Sequence, residues 1–165
     1  MSYPDPRYLG ETGEASTSFR PVDATPDLLN ENAGSSVHYL ATGASTGGDF
    51  GLYRWNMGPD PSGPSPHFHR TMTESFFVLD GVVSLYDGNG WKDAAPGDFL
   101  FVPPGGVHGF RNNNGAASML ILFTPGAPRE AYFEGLYEIA LTGNRPSDEE
   151  MAEFFRKHDN IWVDE

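Results

Sequence analysis

His67 and His69 stand one residue apart, Glu74 follows five positions after His69, and His108 lies 39 residues beyond His69 in a Pro/Gly-rich stretch. These side chains suit a divalent transition metal: imidazole binds Zn, Cu, Fe and Ni, and one carboxylate among imidazoles is the mixture of metals that do chemistry. In a strand, residues i and i+2 share a face, so His67 and His69 present two imidazoles side by side. Glu74 and His108 must then arrive from neighbouring strands. Three neutral imidazoles and one carboxylate leave a divalent ion with about one unit of positive charge, which attracts an anionic oxygen. Four protein ligands on a five- or six-coordinate ion leave room for water, substrate or dioxygen, whereas a closed tetrahedral set would be structural. Fe, Mn, Co, Ni, Cu and Zn all fit this donor set. His38 and His158 fall outside the spacing and read as surface residues.

The elements that hold these ligands must fit in 165 residues, a length that suits one domain able to bury roughly two thirds of its unfolded surface. There is no cysteine, which excludes disulfides and Cys-zinc sites and fits a reducing compartment. A net charge of −13 argues against nucleic-acid partners and anionic membrane surfaces, both of which need clustered Lys and Arg. The N-terminus lacks the basic start and apolar core of a secretory signal, and no stretch approaches the ~20 apolar residues of a membrane span. A soluble, cytoplasmic protein is expected. Gly (20) and Pro (14) are abundant, but so are the aromatics (12 Phe, 7 Tyr, 3 Trp), so a packed β structure with tight turns is expected rather than disorder.

Residues 1–35 are polar and Pro-rich with little periodicity and read as an extended N-terminal arm. From 36 to 126, short apolar runs alternate with turn residues, the pattern of an all-β sandwich or barrel. Asp87-Gly88-Asn89-Gly90 is the clearest hairpin loop, because these residues supply the positive φ of tight turns. Residues 127–165 change character. The run 128–141 carries Phe133, Leu136, Tyr137 and Ala140 at helical spacing, and a second helix starts at the N-cap Ser147, with Met151, Phe154 and Phe155 on one face.

The stretches PHFHRTMTESFFVLDG and GDFLFVPPGGVHGFRN resemble the two motifs of the cupin superfamily. The first holds His67, His69, Glu74 and Gly81; the second holds Gly97, Pro103, Gly105, His108 and Asn112 and matches at every defined position. One position departs: the glycine six residues before the first histidine is Pro61 here, with Gly63 nearby, which alters a turn and not a ligand. The likeness covers about residues 36–126, and with the closing helices it is similar to single-domain cupins of the quercetin 2,3-dioxygenase-like group. It implies a double-stranded β-helix, or jelly-roll barrel, holding one metal on His67, His69, Glu74 and His108. In the dioxygenases of that group the ligand glutamate also takes the proton from a substrate enol or phenol, a catalytic role implied here for Glu74.

Alternation names the walls of the pocket. With Glu74 inward, Phe76 and Val78 point inward too; with His108 inward, so do Phe110 and Asn112. The strand before the first motif supplies either Tyr53 and Trp55 or Arg54 and Asn56, and the aromatic pair is the expected wall. Phe77, Leu79 and the run SMLILF leave an apolar outer sheet face, which the C-terminal helices and a homodimer would cover. The expected function is a metal-dependent dioxygenase acting on a flavonol-like or other enolisable aromatic or polyketide molecule. Alternatives are a metal-dependent isomerase, cyclase or lyase that uses no dioxygen, and a non-catalytic small-molecule-binding barrel.

Overall fold

The computed structural model describes residues 2–113 and 115–163. Eleven strands and two helices follow in the order β1 (Leu28–Asn30), β2 (Ser35–Ala41), β3 (Gly51–Met57), β4 (His67–Phe68), β5 (Thr73–Asp80), β6 (Val83–Tyr86), β7 (Trp91–Ala94), β8 (Phe99–Val102), β9 (Gly109–Arg111), β10 (Ala117–Thr124), α1 (Glu130–Thr142), α2 (Asp148–Lys157) and β11 (Ile161–Trp162). Six strands form one sheet in the order β1-β2-β3-β10-β5-β8, three form a second in the order β7-β6-β9, and β11 pairs with β4. Every pairing is antiparallel.

Strict alternation along β10 defines the inner face of the large sheet. Along β10, Ala117, Met119, Ile121 and Phe123 are buried while the residues between them are half-exposed. In register across the sheet, Phe123 faces Glu74, Ile121 faces Phe76 and Met119 faces Val78. A period of two therefore puts Glu74 on the inner face together with the apolar core. The loop 87–90 closes the β6–β7 hairpin as expected, with Gly88 at φ 88° and the Asp87 carboxylate accepting from the backbone N–H of Asn89 and Gly90 at 3.0 and 3.2 Å.

Two short strands were not anticipated. β1 lies inside the stretch read as an arm and pairs with β2, while the described residues before it, 2–27, form no strand or helix. β11 follows the second helix and returns to the first motif. Both are too short, at three and two residues, for a periodic pattern to show.

The helices form where the sequence places them, but not against the surface expected. α2 begins with a capping box in which the Ser147 hydroxyl accepts from the Glu150 N–H and the Glu150 carboxylate accepts from the Ser147 N–H. α1 ends at Gly143, whose φ of 69° suits glycine. The buried residues of α1 are Tyr132, Phe133 and Tyr137, and Phe133 lies 5.1 Å from the rings of both Tyr53 and Trp55. The helix thus packs on the inward aromatics of the barrel and leaves the outer sheet face uncovered. Phe77, Leu79, Phe99 and Phe101 remain exposed outside, at 40, 39, 62 and 55%. His38, expected at the surface, is instead buried on β2, opposite Arg54 on β3, and burial lowers its pKa. His158 is half-buried at the end of α2.

Candidate metal centre

The two motifs meet through their backbones. His67 donates its N–H to the His108 carbonyl at 2.8 Å and His108 returns the bond at 2.9 Å, so the two imidazoles stand opposite each other with ring centroids 4.4 Å apart. Gly105 N–H donates to the His69 carbonyl at 2.7 Å and fixes the turn that follows β4. Glu74 enters from β5. All four side chains are buried, and one ligand atom from each lies within 4.8 Å of the others. Ligands about 2.0–2.2 Å from a common ion are separated by at most about 4.4 Å, so an inward shift of a few tenths of an ångström completes a coordination sphere.

The hydrogen bonds behind the cluster set its chemistry. His67 Nδ1 faces the Ser65 carbonyl at 2.9 Å, His108 Nδ1 faces the Gly106 carbonyl at 2.9 Å, and His69 Nδ1 faces the Asp159 carbonyl at 2.6 Å. A carbonyl only accepts, so each Nδ1 carries the proton and each Nε2 presents a lone pair to the interior. Nε2 of His69 and of His108 lie 2.9 and 2.7 Å from the same oxygen, Oε2 of Glu74. Two lone pairs facing an anionic oxygen at that range require a proton or a cation between them. The donor set, its burial and its outer hydrogen bonds therefore fit a divalent metal ion.

Without an ion, protons bear that load. Burial alone would push the Glu74 carboxyl up, but the charge and hydrogen bond of His108, with help from His69, hold it well below the usual carboxylate range. Burial lowers the pKa of His108, and the adjacent Glu74 carboxylate outweighs burial to raise it. His67 makes no such pair. Burial and the neighbouring His108 push it down to about 3, so it stays a neutral donor.

A cavity of about 450 Å³ adjoins the cluster, and His67 and Glu74 are the two ligands that line it. Of the five residues expected to wall a pocket, Trp55 and Phe110 do so. Tyr53, Phe76 and Val78 point inward but are fully buried in the core, with α1 packed over Tyr53. Asn112 is a staple for the Pro-rich loop: its side chain accepts from Ser62 and donates to the carbonyls of Gly58, Asp60 and Gly115. In that loop Gly63 holds φ at 134°, and a Cβ there would stand 1.9 Å from the Phe110 carbonyl oxygen. Gly63 thus meets the tight turn that Pro61 does not.

The far wall comes from the C-terminal third: Arg129, Phe133, Tyr137, Phe155, Asn160 and Trp162. The Trp162 ring lies 5.1 Å from His67. None of these was singled out from the sequence as a site residue. The available signals were small: a basic residue at the N-terminus of a helix, against the preference of the helix dipole, and an apolar Ile-Trp-Val after a polar helix.

Residues 53–125 match the family described as Cupin domain. Over 113 residues the chain is 30% identical to quercetin 2,3-dioxygenase of Bacillus subtilis, covering 64% of this chain and 33% of that protein. A 60-residue stretch is 37% identical to an uncharacterized protein of Aquifex aeolicus, covering 36% of this chain and 50% of that protein. The chain thus matches a third of one relative's length and half of the other's. Among solved structures, KdgF from Halomonas sp. aligns with a TM-score of 0.56 at 19% identity, over 66% of this chain and 94% of that one. An RmlC-like cupin from Shewanella frigidimarina aligns with a TM-score of 0.56 at 17% identity, over 70% and 96%. At those identities the structural likeness speaks for the fold alone. The domain match over residues 53–125, the shared fold and both motifs converging on one buried cluster are what the chain has in common with the cupin superfamily.

Proposed function

We propose that the protein is a metal-dependent dioxygenase for a flavonol-like or other enolisable aromatic molecule, with one divalent transition metal held by His67, His69, Glu74 and His108. The observation that carries this reading is the position of Glu74: it is both a candidate ligand and a wall of an aromatic cavity. The 30% identity to a quercetin 2,3-dioxygenase supports it. A bound divalent ion would supply a positive centre that favours an enolate over its neutral enol.

The chain's own residues supply the rest. Trp55, Phe110 and Phe133 offer flat apolar surfaces that hold a planar molecule and exclude water. Glu74 lines the cavity that a substrate hydroxyl would enter, so its carboxylate is placed to accept the enol proton. Ser65, Gly106 and Asp159 carbonyls fix the three imidazoles so that their Nε2 lone pairs stay aimed inward. In a dioxygenation both atoms of dioxygen enter the organic product, so no separate reductant is needed.

A metal-dependent isomerase, cyclase or lyase would use the same residues without dioxygen. Metal analysis of protein purified without added metal, followed by oxygen-electrode assays with flavonols and other enolisable aromatics, acids among them, tests the choice. Stoichiometric metal and oxygen uptake that His67→Ala abolishes are expected. Conversion under nitrogen would assign the isomerase or lyase, and saturable binding without turnover would assign a binding protein.

A further inference from the structure

We infer that Arg129 is the anchor for a carboxylate on the molecule the cavity accepts, which makes the ligand class a flat aromatic or polyketide-like organic acid. The inference rests on the proposal that this cavity is the ligand site, and it narrows the substrate class.

Arg129 is 4% exposed and lines the same cavity as His67 and Glu74. A buried guanidinium normally sits against a carboxylate, because an unpaired buried charge is costly. Arg129 has no such partner among the described residues, where the ion pairs formed by arginine involve Arg7, Arg20 and Arg145. Its side-chain partners are neutral: the His158 carbonyl at 2.6 Å and the Asn160 side-chain oxygen at 2.9 Å. Those bonds use two of the five N–H groups of a guanidinium, and Nε is buried without any acceptor. The acid lining the cavity, Glu74, is engaged with His69 and His108.

The group is also held in place as a recognition element should be. Its carbon stands 4.3 Å from the centroid of Tyr132, 5.1 Å from Phe123 and 5.6 Å from Phe133, close enough for cation–π attraction to offset part of the desolvation. Asn160 donates to the Tyr132 hydroxyl at 3.1 Å, which aims its oxygen at the guanidinium. Helix stability does not explain the residue, since Arg129 is the N-cap of α1, makes no cap hydrogen bond and stands where the helix dipole disfavours a cation. A carboxylate matches the planar fork of a guanidinium and would be favoured at that helix end as well. The planar body of such an acid would lie among Trp55, Phe110 and Phe133, and a second oxygen would reach toward Glu74.

The alternative is that Arg129 only clasps α1 to the C-terminal segment. Naphthoate and naphthamide of the same isomer share shape and differ in charge, and the tryptophans of the cavity report their binding by fluorescence. Titrations use both metal-loaded and chelator-treated protein. In both forms naphthoate should bind roughly tenfold or more tightly than naphthamide. Arg129→Gln should bring the two together while the protein still melts cooperatively. Equal binding to the wild-type protein, no binding of either probe, or a preference that survives in folded Arg129→Gln would overturn the inference. So would a preference confined to the metal-loaded form, which would assign the carboxylate to the ion. Should Arg129→Gln fail to fold, Arg129→Lys decides: the preference should fall severalfold as the fork is lost, and an unchanged preference would overturn it. Metal content measured on the same samples tests the metal reading separately, because the preference is read without metal as well.

Discussion

His69 and Asp159 are 90 residues apart in the chain, and the imidazole of the first donates its Nδ1–H to the backbone carbonyl of the second at 2.6 Å. Asp159 is held there by its own side chain, whose carboxylate accepts from the N–H of Arg70 and of Thr71 and from the Thr71 hydroxyl. Its φ of 55° is uncommon for a residue other than glycine and turns the chain from α2 into β11. The C-terminal segment therefore orients a ligand of the candidate metal centre.

Asp159→Ala removes three hydrogen bonds that hold this carbonyl in place but leaves all four candidate ligands. Metal affinity should fall by about tenfold or more, as is usual when the outer partner of a ligating imidazole is lost. Competitive titration against a chromophoric chelator measures it, with circular dichroism confirming that the β structure persists.

Glu74→Gln keeps the size of the side chain and loses its basicity. If Glu74 takes the substrate proton, turnover should fall by about 10²-fold or more at a metal occupancy that can be restored by excess metal. Retained turnover at full occupancy would leave Glu74 as a ligand only.

The metal-free protein should lose stability as the pH rises above about 6.5. His108 is raised by its pairing with Glu74, so its contribution is complete below the unfolded value of 6.5 and fades as the pH climbs through the folded one. The contribution of Glu74, whose pKa is lowered, is present above its unfolded value of about 4.5 and does not change in this window. That of His67, also lowered, changes only below 6.5. Melting temperatures of chelator-treated protein should thus decline from pH 6.5 to 8.5, and Glu74→Gln should flatten the decline. A bound ion takes the place of the proton, so the metal-loaded protein should not show it.

Phe99 and Phe101 on β8, an edge strand of the six-stranded sheet, and Phe77 on the adjacent β5 form an exposed apolar surface in a single chain. A second copy covering this face is the association expected from the sequence. Light scattering should give a dimer mass for the wild type and a monomer mass for the double variant Phe99→Glu, Phe101→Glu. A monomeric wild type would remove the homodimer.

Periodicity and spacing alone determined a good deal of this protein. With Glu74 read as a ligand, alternation put Phe76 and Val78 on its face, the capping residues at Ser147 set a helix start, and the motif spacing grouped His67, His69, Glu74 and His108 before any coordinates. Each of these is a local property, carried by neighbours two to five residues apart or by a motif with fixed spacing. No helix among the described residues is long and apolar enough to cross a membrane.

The tertiary structure alone decided which inward residues see a cavity. Tyr53 and Phe76 share the inner face with Trp55, yet α1 and the core bury the first two and leave the third at a wall, a difference of a few ångströms in packing that alternation cannot resolve. Arg129, Asp159 and Trp162 lie outside both motifs. Their roles depend on α1 and α2 folding back over the barrel mouth and on a two-residue strand pairing with β4. Contacts between segments 90 residues apart leave no periodic trace in either segment, so only the folded chain shows that its C-terminal end completes the site that its middle begins.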